Sequence, residues 1–281
     1  MKYYLTLTAL IFSLSLFAGG PWLVPKKSGF IQIQSTFPSG AYDNLFLSNG
    51  ESLKLNRGVL DYNFQGYLEY GISNKLNVIA VLPYKYIATT NSTQSQNNFA
   101  LLPKGSLNGW GNIKLGVKYP LLTKNIKAAI MVQTSLNTIN KNFSKGLATG
   151  YDANSVGLYG SIGKSISSQL YSYLEGGWNV SSNNFSDFIE VHYELGYQPA
   201  SPLWLAITID IRSSLKNGTY QNDNLKQTGF YTNDQEYFAY GIKSSYELKN
   251  QVGITAATFG AFSGNYVAKI ATFSIGVYKK F

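Results

Sequence analysis

His192 is the only imidazole in the chain, and it stands in the run Val-His-Tyr-Glu-Leu-Gly with Glu190 two residues before it and Glu194 two after. If this segment is a strand, period two puts all three on one face. An imidazole between carboxylates could act as a general base or help hold a metal. A hydrolase would also need a nucleophile bonded to that base and a third group to orient it. No Ser lies on the segment to serve, and no Cys exists anywhere in the chain to supply a thiolate. The reading adopted is no enzyme, no metal and no cofactor, with His192 one member of a polar ladder. Glu175, Asp210 and Arg212 carry the same parity on the flanking segments. Counting across a turn near Ala200-Ser201 sets Glu190 opposite Asp210, with Arg212 one diagonal step away. Lys85, Lys114, Lys118 and Lys127 share the polar parity on earlier segments, so a basic and an acidic sector are expected.

The elements that must position these groups are strands. Twelve segments read as strands, about Gly29–Phe37, Val59–Ile72, Leu76–Thr89, Gly111–Leu121, Ile126–Thr138 and Asn154–Ile166, then Gln169–Ser181, Asp187–Gln198, Leu203–Ser214, Glu236–Leu248, Gln251–Phe262 and Tyr266–Phe281. They exceed the roughly 5–6 residues usual in globular sheets and suit strands tilted across a bilayer, which need about 9–11. In the ninth, Leu203, Leu205, Ile207, Ile209 and Ile211 oppose Trp204, Ala206, Thr208, Asp210 and Arg212. Tight turns such as Ser73-Asn74-Lys75 and Thr123-Lys124-Asn125 alternate with long polar loops at 38–56, 90–110, 139–153 and 215–235. Connections near Asn183-Asn184 and Ser263-Gly264-Asn265 read as short. Long structureless loops argue against a compact soluble domain. Alternating short and long connections are expected of a membrane barrel. Tyr70, Tyr119, Tyr197 and Tyr246 each fall just before a short turn, as an interfacial aromatic girdle would.

Composition agrees. Charged residues make up 13% of the chain and aromatics 15%; a typical soluble domain has about 25% charged residues. The net charge of +9 comes from scattered lysines with no run of nucleic-acid type, so no nucleic-acid partner is expected. Met1-Lys2 followed by the apolar Leu5 to Phe17 reads as a signal peptide over 1–18, cleaved after Ala18. A lead over 19–28 then precedes a barrel over 29–281. The lead is expected to be a tether, its alternative a small plug.

The last strand alternates through Phe273, Ile275, Val277 and Phe281, and this terminus resembles that of bacterial outer-membrane β-barrels. The mature start Gly20 to Gln32, the hairpin Leu68 to Val78 and the glycine-rich Gly109 to Tyr119 are similar to the transporter barrels grouped with phenol-degradation-associated outer-membrane proteins. The resemblance implies an all-β, closed antiparallel transmembrane barrel of about 12 strands in the outer membrane, with short periplasmic turns and longer external loops. It further implies passive passage of small, often hydrophobic or aromatic solutes through a lumen lined by the charged residues above. Its partners would be the bilayer, the solute and, during biogenesis, the barrel-insertion machinery. A second reading keeps the barrel closed and assigns the work to its loops.

Overall fold

A computed structural model describes residues 19–94 and 101–281; the expected signal peptide over 1–18 lies outside the described residues. Twelve strands build the wall: β1 (Gly29–Pro38), β2 (Ser52–Ser73), β3 (Leu76–Thr89), β4 (Ser106–Trp110 continued by Ile113–Thr123), β5 (Ile126–Leu136), β6 (Ser155–Ser165), β7 (Leu170–Ser181), β8 (Phe188–Ala200), β9 (Leu203–Ser214), β10 (Glu236–Glu247), β11 (Val252–Asn265) and β12 (Thr272–Lys280). Each pairs antiparallel with its neighbours in sequence. β12 returns to β1, from Phe30 opposite Lys280 to Pro38 opposite Thr272, and the sheet closes on itself. Closure leaves the wall without the unpaired N–H and C=O groups of a free edge.

The burial pattern is that of a protein dissolved in lipid. In β12, Ile275 is 56% exposed on the outer face while Tyr278 is 2% exposed on the inner one. A soluble sheet would reverse the two. Hydrocarbon around the wall satisfies the apolar face, and a closed barrel satisfies every backbone group without water. Among the described residues no helix is long and apolar enough to cross a membrane; strands do the crossing.

The two ends of the barrel differ. Both ends of the wall meet at the short-turn end, where Gly29 donates to the Phe281 carbonyl at 2.7 Å and Phe281 to that of Gly29 at 3.0 Å. Tyr119, Tyr197 and Tyr246 face outward there, and Tyr70 stacks on Phe281 with centroids 6.5 Å apart. At the other end the long loops fold back over the mouth. Tyr42, Leu45, Leu55, Val59, Ile87, Leu147 and Phe230 form a buried apolar cluster, and Arg57 ties it by donating to the Lys145 carbonyl at 3.0 Å and that of Gln227 at 3.2 Å.

Three boundaries depart from the sequence reading. β2 starts at Ser52 rather than near Val59, because its outer end pairs with the loop segment Tyr42–Phe46. β12 starts at Thr272 rather than near Tyr266. Tyr266 takes a left-handed φ of 53°, and Val267–Ala268 turn aside to pair with Leu45–Phe46. The expected short connection at Ser263-Gly264-Asn265 is instead the end of β11, paired with Glu236–Phe238, and the chain crosses to β12 through 266–271. β4 breaks at Gly111 and Asn112, opposite Pro83 of β3, which has no N–H to give the ladder. Gly111 donates to the Pro83 carbonyl at 2.8 Å, and Asn112 turns its amide inward to the Tyr151 carbonyl at 2.8 Å.

Candidate functional site

The lumen is the site, built from the inward parity of the wall. At its loop end lies a chamber of about 250 Å³ whose lining includes Lys85, Lys114, Glu190, Arg212, Tyr151 and Tyr231. Lys85 forms an ion pair with Asp61 at 3.0 Å across the β2–β3 ladder. The Arg212 guanidinium sits 3.6 Å over the Phe188 ring and 4.6 Å over that of Tyr151, with Glu190 3.6 Å away. Aromatic faces attract a cation electrostatically, so this guanidinium is held by rings as well as by a carboxylate. Tyr151 and Tyr231 arrive from the loops and meet edge to face at 5.1 Å.

A second cavity of about 180 Å³ shares Tyr159 and Glu190 with the first and adds Glu175, His192, Asp210 and Tyr237. Tyr159 donates to Glu190 at 2.8 Å. His192 Nδ1 lies 2.6 Å from Asp210, and its Nε2 lies 3.6 Å from Glu194. With a carboxylate beside each ring nitrogen, neither is left to take a proton from a hydroxyl. The ring also lies on Tyr173, centroids 5.3 Å apart.

Toward the short-turn end the polar groups are dry. Glu194 is fully buried; it accepts from Tyr171 at 2.7 Å and pairs with Lys243 at 2.5 Å. Glu69 pairs with Lys118 at 2.8 Å, both 2% exposed. It also accepts from Asn77 at 2.8 Å and Tyr67 at 3.0 Å. A buried carboxylate persists only with such partners, since taking a charge out of water costs several kcal/mol.

The lead occupies the same space. Lys118 donates to the carbonyls of Gly20 at 3.3 Å and Trp22 at 3.1 Å. The Trp22 ring stands edge-on to Tyr171 and Tyr173, each centroid 5.7 Å away. Lys26 makes a bridge to Gly71. The lead therefore runs inside the barrel around Gly20–Trp22 and comes out at the rim by Lys26 and Lys27, rather than hanging free.

The sequence-predicted residues divide clearly. Lys118, Glu175, Glu190, His192, Glu194, Asp210 and Arg212 fall into the connected networks and cavities just described, and Lys85 and Lys114 line the outer chamber. Lys127 does not join them; at the end of β5 it turns back to the Thr123 carbonyl. One register expectation is corrected. Glu190 is opposite Arg212, and His192 is opposite Asp210. The β8–β9 turn is centred on Ser201-Pro202, and the ladder slips between Tyr197 and Ala200, where Pro199 has no N–H. The expected split into basic and acidic sectors gives way to local pairs that reach over one intervening strand, Lys118 of β4 with Glu69 of β2 and Lys243 of β10 with Glu194 of β8. Lys243, Tyr171 and Tyr173 were missed, although their inward parity was there to be counted. No sequence signal gave the contacts of Trp22, because a segment outside a strand has no parity.

The chain matches no protein-family model and no curated protein in sequence. In three dimensions it is similar to an outer-membrane channel from Pseudomonas putida F1, with a TM-score of 0.72 and 15% identity over 95% of this chain and 100% of that one. The chain folds as an outer-membrane β-barrel. It is also similar to the NanC porin, TM-score 0.53 at 9% identity over 89% of this chain and 100% of that one. The KdgM porin in complex with disordered oligogalacturonate gives 0.50 at 7% identity over 90% and 99%. At such identities the shared property is the barrel, which places the short turns and the lead at the periplasmic side and the long loops outside.

Proposed function

We propose that this protein is an outer-membrane channel for passive passage of small solutes, constricted at rest by its own lead and inward-packed loops. The observation that carries the reading is the pair of adjoining polar cavities, which share Tyr159 and Glu190 and lie between the loop cap and the lead. A barrel whose only work was structural would have little need of water-sized space at its centre. The lining offers tyrosine rings beside Lys114, Glu190 and Arg212. It suits solutes that combine a ring or sugar face with hydrogen-bonding groups better than a purely aliphatic chain. Similarity to channels and porins supports passage rather than catalysis, and the carboxylates flanking His192 leave it without a free base.

Conductance of the purified barrel in a planar bilayer tests this. Wild type should pass a small current, and removing residues 21–26 should raise it several-fold. Silence from both proteins, each correctly folded, would favour the second reading, a closed barrel acting through the loops.

A further inference from the structure

The fold gathers charge that looks scattered in the sequence. The periplasmic turns carry Lys75, Lys124 and Lys249, all exposed, and the lead carries Lys26 and Lys27, also exposed. Strand ends at the same rim add Lys127, Lys164, Lys279 and Lys280. Among the described residues the one acidic side chain on the rim itself is Glu247, which is taken by Lys280; Glu69 and Glu194 lie deeper, each paired with its own lysine. Nine lysines against one acidic side chain leave a formal +8 there; the chain's +9 counts Lys2 as well, which lies outside the described residues. Among the described residues the remaining thirteen basic and thirteen acidic side chains, in the lumen and the external loops, cancel.

Two of these lysines show what the rim faces. Lys164 continues the outward parity of Leu158 and Ile162 on β6, and Lys279 that of Ile275 and Val277 on β12. Both side chains leave the wall on its lipid side, just past the apolar belt and level with the tyrosine girdle. There a lysine stem lies along hydrocarbon while the ammonium reaches the headgroups. A soluble acidic partner could touch the turn tips but not these two, which the bilayer covers. Solute in the lumen cannot reach them either.

We propose that this rim is a binding surface for anionic phospholipid headgroups of the periplasmic leaflet, the recognised feature being a phosphodiester whose negative charge no headgroup ammonium cancels. The lysines run from β10 through β12 and β1 to β6, while the turns from β7 to β9 carry none. The bound lipids therefore form an arc rather than a full ring. A lysine at an anionic surface favours the charged lipid by about fivefold per site, from roughly 1 kcal/mol each.

The test uses the full barrel in nanodiscs of equimolar phosphatidylglycerol and phosphatidylcholine, with retained lipid read by native mass spectrometry. Wild type should retain phosphatidylglycerol several-fold over phosphatidylcholine. The variant K75Q/K124Q/K164Q/K249Q/K279Q should lose the preference, and a loop-end control, K54Q/K104Q/K269Q, should keep it. If the five-site variant fails to fold, Lys164→Gln and Lys279→Gln singly should each reduce the preference. Equal retention of both lipids by wild type would overturn the proposal, as would a preference lost only in the loop-end control. Tight binding of polyglutamate in detergent without lipid preference would mark the rim as a protein-docking surface and overturn it too.

Discussion

Lys118 holds three acceptors on one ammonium: the Glu69 carboxylate and the carbonyls of Gly20 and Trp22. Removing one partner of a buried pair strands the other in a dry site, which costs about 3–5 kcal/mol, whereas replacing both by apolar groups is often neutral. Lys118→Met alone should therefore lower the urea midpoint of barrel unfolding sharply. Lys118→Met with Glu69→Leu should recover most of that loss, provided Asn77 and Tyr67 find water or each other. A single variant as stable as wild type would mean that the ammonium is not desolvated. That Lys118 faces inward was legible from parity. That it grips the lead was not, because alternation fixes a side chain's direction and says nothing about what fills the space beyond.

Among elements, the strands were the most legible and the lead the least. Period two survives in β12 and β9 because each strand meets hydrocarbon on one face and a polar lumen on the other. Boundaries slipped where a strand runs past the bilayer, as β2 does from Val59 out to Ser52. Register slipped where Pro199 interrupts the ladder. The lead's path depends on Gly71, where an added Cβ would lie 2.2 Å from the Pro25 carbonyl. Gly71→Val should push the lead off the wall and raise single-channel conductance several-fold without loss of heat-modifiable barrel. Conductance at the wild-type level would show that the constriction lies elsewhere. The closing seam behaves differently. Deleting Phe281 removes both of its backbone bonds to Gly29 and its stacking on Tyr70. The amount of membrane-inserted, heat-modifiable protein should fall severalfold, while each barrel that does insert should conduct as wild type does. Normal insertion would show that the seam closes without this residue.

For the whole molecule, the decisive pattern is the layering of charge along the barrel axis, invisible in a linear sequence because the lysines stand singly or in the pairs Lys26-Lys27 and Lys279-Lys280 until the turns bring them to one rim. Paired charges in the lumen give little ion preference of their own, so the field at the periplasmic mouth should dominate selectivity. Low-dielectric walls concentrate such a field, and salt screens it, with a Debye length of about 10 Å at 0.1 M and about 3 Å at 1 M. In a phosphatidylcholine bilayer the reversal potential under a dilute salt gradient should report anion preference, and this should fade at molar salt. The five-site lysine-to-glutamine variant, left with Lys26, Lys27, Lys127 and Lys280 against Glu247, should show a much weaker preference at every concentration. A phosphatidylglycerol bilayer should weaken it in wild type as well, since headgroups held by Lys164 and Lys279 would neutralise part of the rim. Lys114→Gln, which changes the outer chamber alone, should shift the potential far less than the rim variant does. A larger shift from Lys114→Gln would move the selectivity filter from the mouth to the chamber shared by Lys114, Glu190 and Arg212.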